Sequence, residues 1–516
     1  MSGRRRLFVP ALLLALGLPF LPGAVSRADD DPLAKHRQYV GWSFGDGTFR
    51  DMRLTVARKT VEKQDNVEEI VEAVITEVHS LARYRSRSER PESSTQSESG
   101  FDGGLYWAAS INGYVSRYSP TTAVSKTNLA LNEILDEAAA QHAGTVRPTA
   151  KIGEEEVQVV RVSPERAFPI DLYIDGRGTY RRAVIDPDAK TPFTVDIEGY
   201  LDVLPGKKIV SKYRVGRSSF EVTKAEPNVG VTAADLRPPA PYPAWTFGGD
   251  PVPFQIASSH GGGRAVHVLA TLDGHEGRFI LDSGASSILL FSPFGESLGA
   301  EKVGTTSYSG INGRRTKSDL LRIKELKIGA SALRNVVVEA TSLRGLGGAD
   351  GLLGYDVLAT SIVEVDLKGQ KLTINDPASY TPKPGEHAAA FPVNRRPFTQ
   401  VQLPEGANAT AVLDTGNDYG VMLSDELRAS GRLVTLRTNS ERFTGADGSG
   451  DVALQCVRIS RMLVGPYPYE NASTCFGSPA AFGASGGLIG FDFLRHFNWT
   501  FDYPHGRFIL TPNGLN

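Results

Sequence analysis

Two cysteines in 516 residues exclude a disulfide-built scaffold, and nine scattered histidines form with them no cluster of metal-ligand spacing. No metal or other cofactor is expected. Charge of one sign is lacking as well: a formal net charge of −2 creates no field that would gather nucleic acid or an anionic membrane, so neither is an expected partner. Beyond Leu21 no apolar run approaches the roughly 18 residues that a membrane-spanning helix needs. What the chain has in abundance is glycine and proline, 54 and 31 residues, a composition that favours turn-rich β structure over helical bundles. Single hydrophobic cores stop growing near about 250–300 residues, so a chain this long must divide.

The divisions are legible. Arg4-Arg5-Arg6, the apolar stretch from Leu7 to Leu21 and Ser26-Arg27-Ala28 have the order of a secretory signal, so residues 1–28 are expected to be removed and the mature protein to be periplasmic or secreted. Pro10, Pro19 and Pro22 interrupt the run and count against an uncleaved anchor. A proline-rich segment, 234–253, cannot form a central strand and reads as an extended linker. A second break at 377–386, with Pro377, Pro382 and Pro384, splits the remainder into 254–376 and 387–516.

Between the signal and the first linker, residues 33–233 read as an α+β domain with a curved antiparallel sheet. Val67, Ile70, Val71, Val74, Val78 and Leu81 recur at helical spacing behind a capping box of Asn66 and Glu69, which predicts a helix. A second helix is expected over Thr127 to His142, on the stripe Leu131, Ile134, Leu135 and Ala138. Alternation predicts strands from Gly104 to Ala109, Gly113 to Tyr118, Val157 to Val162, Ile170 to Asp175, Tyr180 to Ile185, Thr194 to Val203 and Lys208 to Val215. The hairpin Ile170-Asp171-Leu172-Tyr173-Ile174-Asp175 and the following Gly199-Tyr200-Leu201-Asp202-Val203-Leu204-Pro205-Gly206 resemble periplasmic lipoprotein carriers of the LolA type. That resemblance implies an apolar ligand or a bound protein segment on this domain; a docking or folding domain is the alternative.

The C-terminal half repeats itself. Phe279-Ile280-Leu281-Asp282-Ser283-Gly284 is answered, 132 residues on, by Ala411-Val412-Leu413-Asp414-Thr415-Gly416. Gly351-Leu352-Leu353-Gly354 is answered, 136 residues on, by Gly487-Leu488-Ile489-Gly490. Between them, Gly310-Ile311-Asn312-Gly313 answers Gly445-Ala446-Asp447-Gly448, and each copy closes with a strand pair, Val363 to Ile374 and Asn498 to Leu510. Here the chain resembles bacterial two-lobed aspartic peptidases with retropepsin- or pepsin-like lobes. The resemblance implies an all-β pair of lobes with one catalytic aspartate each, Asp282 and Asp414, acting on a peptide in extended conformation. It also implies that Ser283 and Thr415 cross-brace the two active-site loops, and that Tyr308, Gly310 and Gly445 belong to flap hairpins. An exported aspartic endopeptidase is the expected function.

The residue types suit the chemistry. Two carboxylates about 3 Å apart cannot both ionise, so one keeps a proton and can act as acid while the other acts as base on a water. Gly284 and Gly416 let the backbone approach those carboxylates closely. The second copy departs from the family pattern at Asn417-Asp418, and Asp418 would either add a negative charge near the site or point to solvent. An inactive pseudopeptidase that only binds extended peptides, and a carrier working through the N-terminal domain, remain open. A serine-hydrolase reading of His260-Gly261-Gly262-Gly263 and Gly483-Ala484-Ser485-Gly486-Gly487 fails on context, because Ser485 precedes an apolar strand instead of following one. In an oxidising compartment Cys456 and Cys475 would pair as a disulfide within the last lobe. Both aspartates lie on one chain, so catalysis would need no dimer.

Overall fold

The computed structural model describes residues 31–515, except 65–66, 81–82, 91–94, 259–263, 310–314, 346, 383–388, 430–438, 445–450 and 478–485. The expected signal segment, Gly310, Gly445, the two glycine-rich stretches 260–263 and 483–485, and part of the second linker lie outside the described residues.

Among the described residues, thirteen strands from Met52 to Pro227 form one sheet with antiparallel pairings. Two helices cover one of its faces. Pro32–Val40 is capped by the Asp31 carboxylate, which accepts from Leu33 N at 3.0 Å, and brings Leu33 onto the sheet. Ala123–Leu135 contributes Ala130 and Ile134, both fully buried against Leu172, Ala183 and Val195. This second helix starts earlier than its stripe suggests, where Thr122 caps Ser125 N, and ends at Leu135; Ala138–Gln141 follows as a separate 3₁₀ turn. In the hairpin Ile170–Ile174/Tyr180–Ile185, the Asp175 side chain closes the turn by accepting from Arg177 N and Thr179 N, each at 2.9 Å.

The helix expected over 67–81 is a strand, Val67–Ser80, paired in one unbroken register with Met52–Gln64. Its β-branched residues satisfy a period of 3.6 on paper but are stiff at χ1 and fit a pleated surface better. Ala73, Ile75 and His79 point inward at a period of two, while Ile70 and Val74, members of the supposed helical stripe, stand exposed. The proline-rich segment is also more than an extended connection: Ala244–Thr246 adds an edge strand to Ser331–Arg344, where prolines outside the ladder do no harm.

In the C-terminal half one pattern of pairing occurs twice. His275–Leu281 enters Asp282 and runs parallel to Gly351–Leu353, and Leu289–Ser292 pairs antiparallel with the other side of that short strand. Asn408–Leu413 enters Asp414 and runs parallel to Gly487–Ile489, with Val421–Ser424 on its other side. Strands enclosed in this way are buried on both faces, hence the continuous apolar runs before each aspartate. Beneath the two aspartate turns, Val252–Ser258, Lys371–Asn375, Ile362–Asp366, Phe497–Asp502, Arg507–Pro512 and Ala389–Asn394 pair in that order into an antiparallel sheet shared by the two copies. Val363, Val365, Trp499, Phe501 and Phe508 are buried on it and join both copies in one core. Burial of each such side chain contributes about 1.5–3 kcal/mol. Tyr114 of the N-terminal domain belongs to the same core.

Candidate active site

Each aspartate is set by its own turn. Asp282 N donates to Leu353 O at 3.0 Å and Asp414 N to Ile489 O at 2.8 Å, so the strand of each Gly-apolar-apolar motif fixes where its aspartate turn begins. The Asp282 Oδ1 then accepts from Gly284 N at 2.7 Å and Ala285 N at 3.0 Å, and the Asp414 Oδ1 from Gly416 N at 3.0 Å and Asn417 N at 3.2 Å. The two carboxyls are apposed, each close enough to shift the titration of the other. A Cβ at Gly284 would overlap the Asp414 carboxylate, and one at Gly416 that of Asp282, so no other residue type fits either position.

Ser283 and Thr415, both fully buried, tie the turns together. Ser283 Oγ donates to Leu413 O at 2.7 Å and accepts from Thr415 N at 3.0 Å. Thr415 Oγ1 donates to Leu281 O at 2.8 Å and accepts from Ser283 N at 3.0 Å. Four reciprocal bonds therefore cross from one copy to the other directly behind the carboxyls.

The electrostatics are unequal on the two sides. Burial pushes the Asp282 carboxyl well above the ordinary aspartate range, and the charge of Asp414 and the hydrogen bond to it push further. Asp414 is raised by burial too, but the hydrogen bond from Asp282, the Arg396 guanidinium and the Gly416 and Asn417 amides hold it down. Asp418 is half-buried and is pushed up to about 6, first by burial and then by the charges of Asp492 and Asp414. It adds negative charge to the site, one of the two alternatives the sequence left open. Asn417 does not disturb the turn: its amide still donates to Asp414, its carbonyl accepts from Phe491 N at 2.8 Å, and its Oδ1 accepts from Tyr419 N at 3.2 Å.

Two neighbours of the carboxyls carry no motif that would reveal them. Arg396 opens the strand Arg396–Gln402. Tyr503 sits at the turn of the final strand pair, buried, and its hydroxyl has no hydrogen-bond partner among the described residues. Burial and the charges of Asp282, Tyr355 and Asp414 push that hydroxyl far above the usual tyrosine range. Of the flap candidates, Tyr308 lies in the strand Glu301–Ser309, its backbone opposite Thr316. Cys456 and Cys475 face each other on adjacent strands and are joined as a disulfide, which packs with Met422 and Leu454 and against Tyr419 of the second aspartate loop.

Among the described residues no group of three or more His, Cys, Asp or Glu is arranged to hold a metal ion, and no helix is long and apolar enough to cross a membrane.

Compared with known proteins, residues 268–357 match the sequence pattern of the aspartyl protease family, a stretch that includes Asp282 and Gly351–Leu353. No curated protein matches the chain. Among solved structures, a DUF1329 family protein from Desulfovibrio piger is similar to 40% of this chain over 98% of its own, at 11% identity and a TM-score of 0.31. A candidate outer membrane lipoprotein-sorting protein domain from Vibrio parahaemolyticus is similar to 41% of this chain over 97% of its own, at 10% identity and a TM-score of 0.30. A LolA superfamily protein from Nitrosomonas europaea is similar to 40% of this chain over 96% of its own, at 10% identity and a TM-score of 0.30.

Proposed function

We propose that the C-terminal half is an aspartic endopeptidase made of two copies of one pepsin- or retropepsin-like lobe, exported from the cell, that cleaves protein segments in extended conformation. The observation that carries this reading is the pair of apposed carboxyls, one from each repeated turn, over a reciprocal Ser283/Thr415 brace. In the proposed reaction ionised Asp414 takes a proton from a water as its oxygen attacks the peptide carbonyl carbon, and Asp282 gives its proton to the carbonyl oxygen. Collapse of the resulting gem-diol breaks the C–N bond. Asp414 then passes its proton to the departing amine, and Asp282 recovers one from the diol. Arg396 stabilises the charge on Asp414 between turnovers.

The test is hydrolysis of an unstructured protein from acidic to neutral pH by wild type, Asp282→Asn and Asp414→Asn, with circular dichroism as a folding control. Wild type is expected to cleave with a bell-shaped profile, and each folded single variant to lose activity. A folded variant as active as wild type overturns the assignment. An inactive wild type that still binds a transition-state-mimicking peptide points instead to a binding-only pseudopeptidase.

A cavity in the N-terminal domain supports a second activity beside the first. It is lined by Trp42, Phe49, Met52, Ile209, Tyr213 and Val222 together with Asp51, Glu77, His79 and Asp136, and it would hold an apolar ligand or protein segment that also offers a polar group. Extraction of the purified full chain followed by mass spectrometry checks this, and a chain that retains nothing apolar and takes up no fluorescent fatty-acid probe refutes it.

A further inference from the structure

We propose that Asn112 of the N-terminal domain is a positioning residue for the Asp282 loop, so that this domain is a built-in support of the candidate peptidase site and not a removable pro-segment. The proposal rests on the peptidase reading for its consequence in activity, but not for its geometry.

Asn112 lies in the turn between Tyr106–Ala109 and Val115–Tyr118, at one edge of the N-terminal sheet, yet it is only 1% exposed because it is inserted into the C-terminal half. Its Nδ2 donates to Val337 O at 2.8 Å and to Asp356 Oδ1 at 3.0 Å, and its Oδ1 accepts from Val337 N at 2.8 Å. A flipped amide would set donor against donor and acceptor against acceptor, so only this orientation serves. The turn is held from behind, where Tyr242 N donates to Asn112 O at 2.9 Å. Gly113, at φ +77°, has no room for a side chain against the carbonyl of Ala240.

The partner, Asp356, is also 1% exposed and lies in the first turn of the short helix Tyr355–Leu358 that follows Gly351–Leu353. Its second oxygen accepts from Ile288 N at 2.8 Å. In the same helix Tyr355 N donates to Ala285 O at 3.1 Å. The segment from Asp282 to Ile288 is therefore fastened to this helix at two points, one of which is the Asp356 carboxylate that Asn112 orients. The same hairpin gives a second contact, Arg395 Nε to Ser116 Oγ at 3.0 Å. In the other copy the corresponding Asp492 is half-buried.

Besides Asn112 and the Ile288 amide, the groups that face Asp356 are Glu339, Arg395, Tyr114 and Tyr355. None of these supplies the Nδ2 donor. Removing it leaves a buried carboxylate oxygen that must find another partner, and the helix and the loop it holds must move to provide one.

The experiment compares wild type, Asn112→Ala and Asn112→Asp as full chains, with Asp282→Asn as the inactive reference. Hydrogen exchange of the peptide containing Ile288 reports the geometry whether or not the protein is an enzyme. Both Asn112 variants should lose protection there at neutral pH. In hydrolysis, Asn112→Ala should lower kcat by roughly 10- to 100-fold with KM little changed, as expected for a misplaced reacting group. Asn112→Asp should regain protection and kcat toward acidic pH, where a single proton shared with Asp356 restores the missing hydrogen bond. A folded Asn112→Ala with wild-type exchange and wild-type kcat overturns the proposal. If that variant does not fold, Asn112→Asp decides, since a pH profile parallel to wild type would overturn it equally. Should wild type and Asp282→Asn prove equally inactive, the peptidase reading fails and the exchange data alone decide whether Asn112 positions the loop.

Discussion

Thr415→Val is the sharpest perturbation of the site because it changes shape little and removes one hydroxyl from a closed ring of four hydrogen bonds. The lost Oγ1 serves Ser283 N and Leu281 O, at 3.0 and 2.8 Å, in a region with no exposed surface at Ser283 or Thr415. A buried amide or carbonyl deprived of its partner costs about 1–3 kcal/mol, so the two together should destabilise the C-terminal half by about 2–6 kcal/mol. That is a large part of the roughly 5–15 kcal/mol that holds a typical domain together. Thr415→Ser keeps the hydroxyl and should stay close to wild type. The assay is urea unfolding of the full chain. The relevant transition is the one shifted by a bound transition-state-mimicking peptide, because a ligand stabilises only the unit that holds it. Ser283→Ala should cost a similar amount. The double variant should cost less than the sum, since the first substitution already opens the ring. A Thr415→Val transition within about 1 kcal/mol of wild type, or strict additivity in the double variant, would refute the idea that the brace acts as one unit.

Three further outcomes follow from the surroundings of the site. Thiol counting on unreduced, denatured protein should find none free, because Cys456 and Cys475 are joined across a sequence separation of 19, a closure that contributes about 3 kcal/mol; two free thiols would contradict this. Asp418→Asn should move the upper limb of the activity profile to lower pH, since it removes a negative charge that disfavours the second ionisation of the pair; a limb that stays or rises argues against their proximity. Asp356, pushed up to about 6 by burial against an unfolded value of about 3.9, binds more protons folded than unfolded between those limits. Its contribution to stability, about 3 kcal/mol, is therefore present below pH ~4 and lost as pH rises through ~6. Unfolding free energies of Asp356→Asn should fall less steeply over that window than those of wild type, and equal slopes would remove the argument.

The site was legible because its parts are local and repeated. An apolar strand that must be buried on both faces ends in Asp-Ser-Gly or Asp-Thr-Gly, and a second apolar segment with flanking glycines pairs beside it, so each half of the constellation is written in two short stretches. Arg396, Tyr503 and Asn112 have no such signature. Asn112 meets partners 225 and 244 residues away, and nothing in Ser110-Ile111-Asn112-Gly113 distinguishes it from an ordinary turn asparagine. The failure at Val67–Ser80 is of a different kind. Val67, Ile70, Val71, Val74 and Val78 fit both a helical stripe and a β-branched strand, and the choice was made by the long partner strand Met52–Gln64, whose second half, Arg58-Lys59-Thr60-Val61-Glu62-Lys63, carries little apolar signal. Strand Arg83–Arg90 was hidden for the same reason: Arg83, Arg85, Arg87 and Glu89 lie on one face, and their suitability for a sheet depends on neighbours such as Glu98, which pairs with Arg85 at 2.7 Å.

In the proposed reaction two similar turns, Asp282-Ser283-Gly284 and Asp414-Thr415-Gly416, hold different protonation states. With perfect two-fold symmetry the shared proton would have no preference, and either aspartate could serve as acid. Here the copies differ in what surrounds them. Arg396 lies by Asp414 and favours its ionised form, whereas burial and the charge of Asp414 push the Asp282 carboxyl above the ordinary range. Asp418 works against Arg396 by adding negative charge on the same side, which keeps the second ionisation of the pair from falling too low. The first loop, in turn, is the one fastened through Asp356 to a side chain from outside the repeat. In the proposed reaction the rigidly supported loop thus carries the proton, and the loop with charged neighbours carries the base. Such a division is available to a single chain with two copies, whose residues can change independently, and is closed to a symmetric dimer, where every substitution appears on both sides at once.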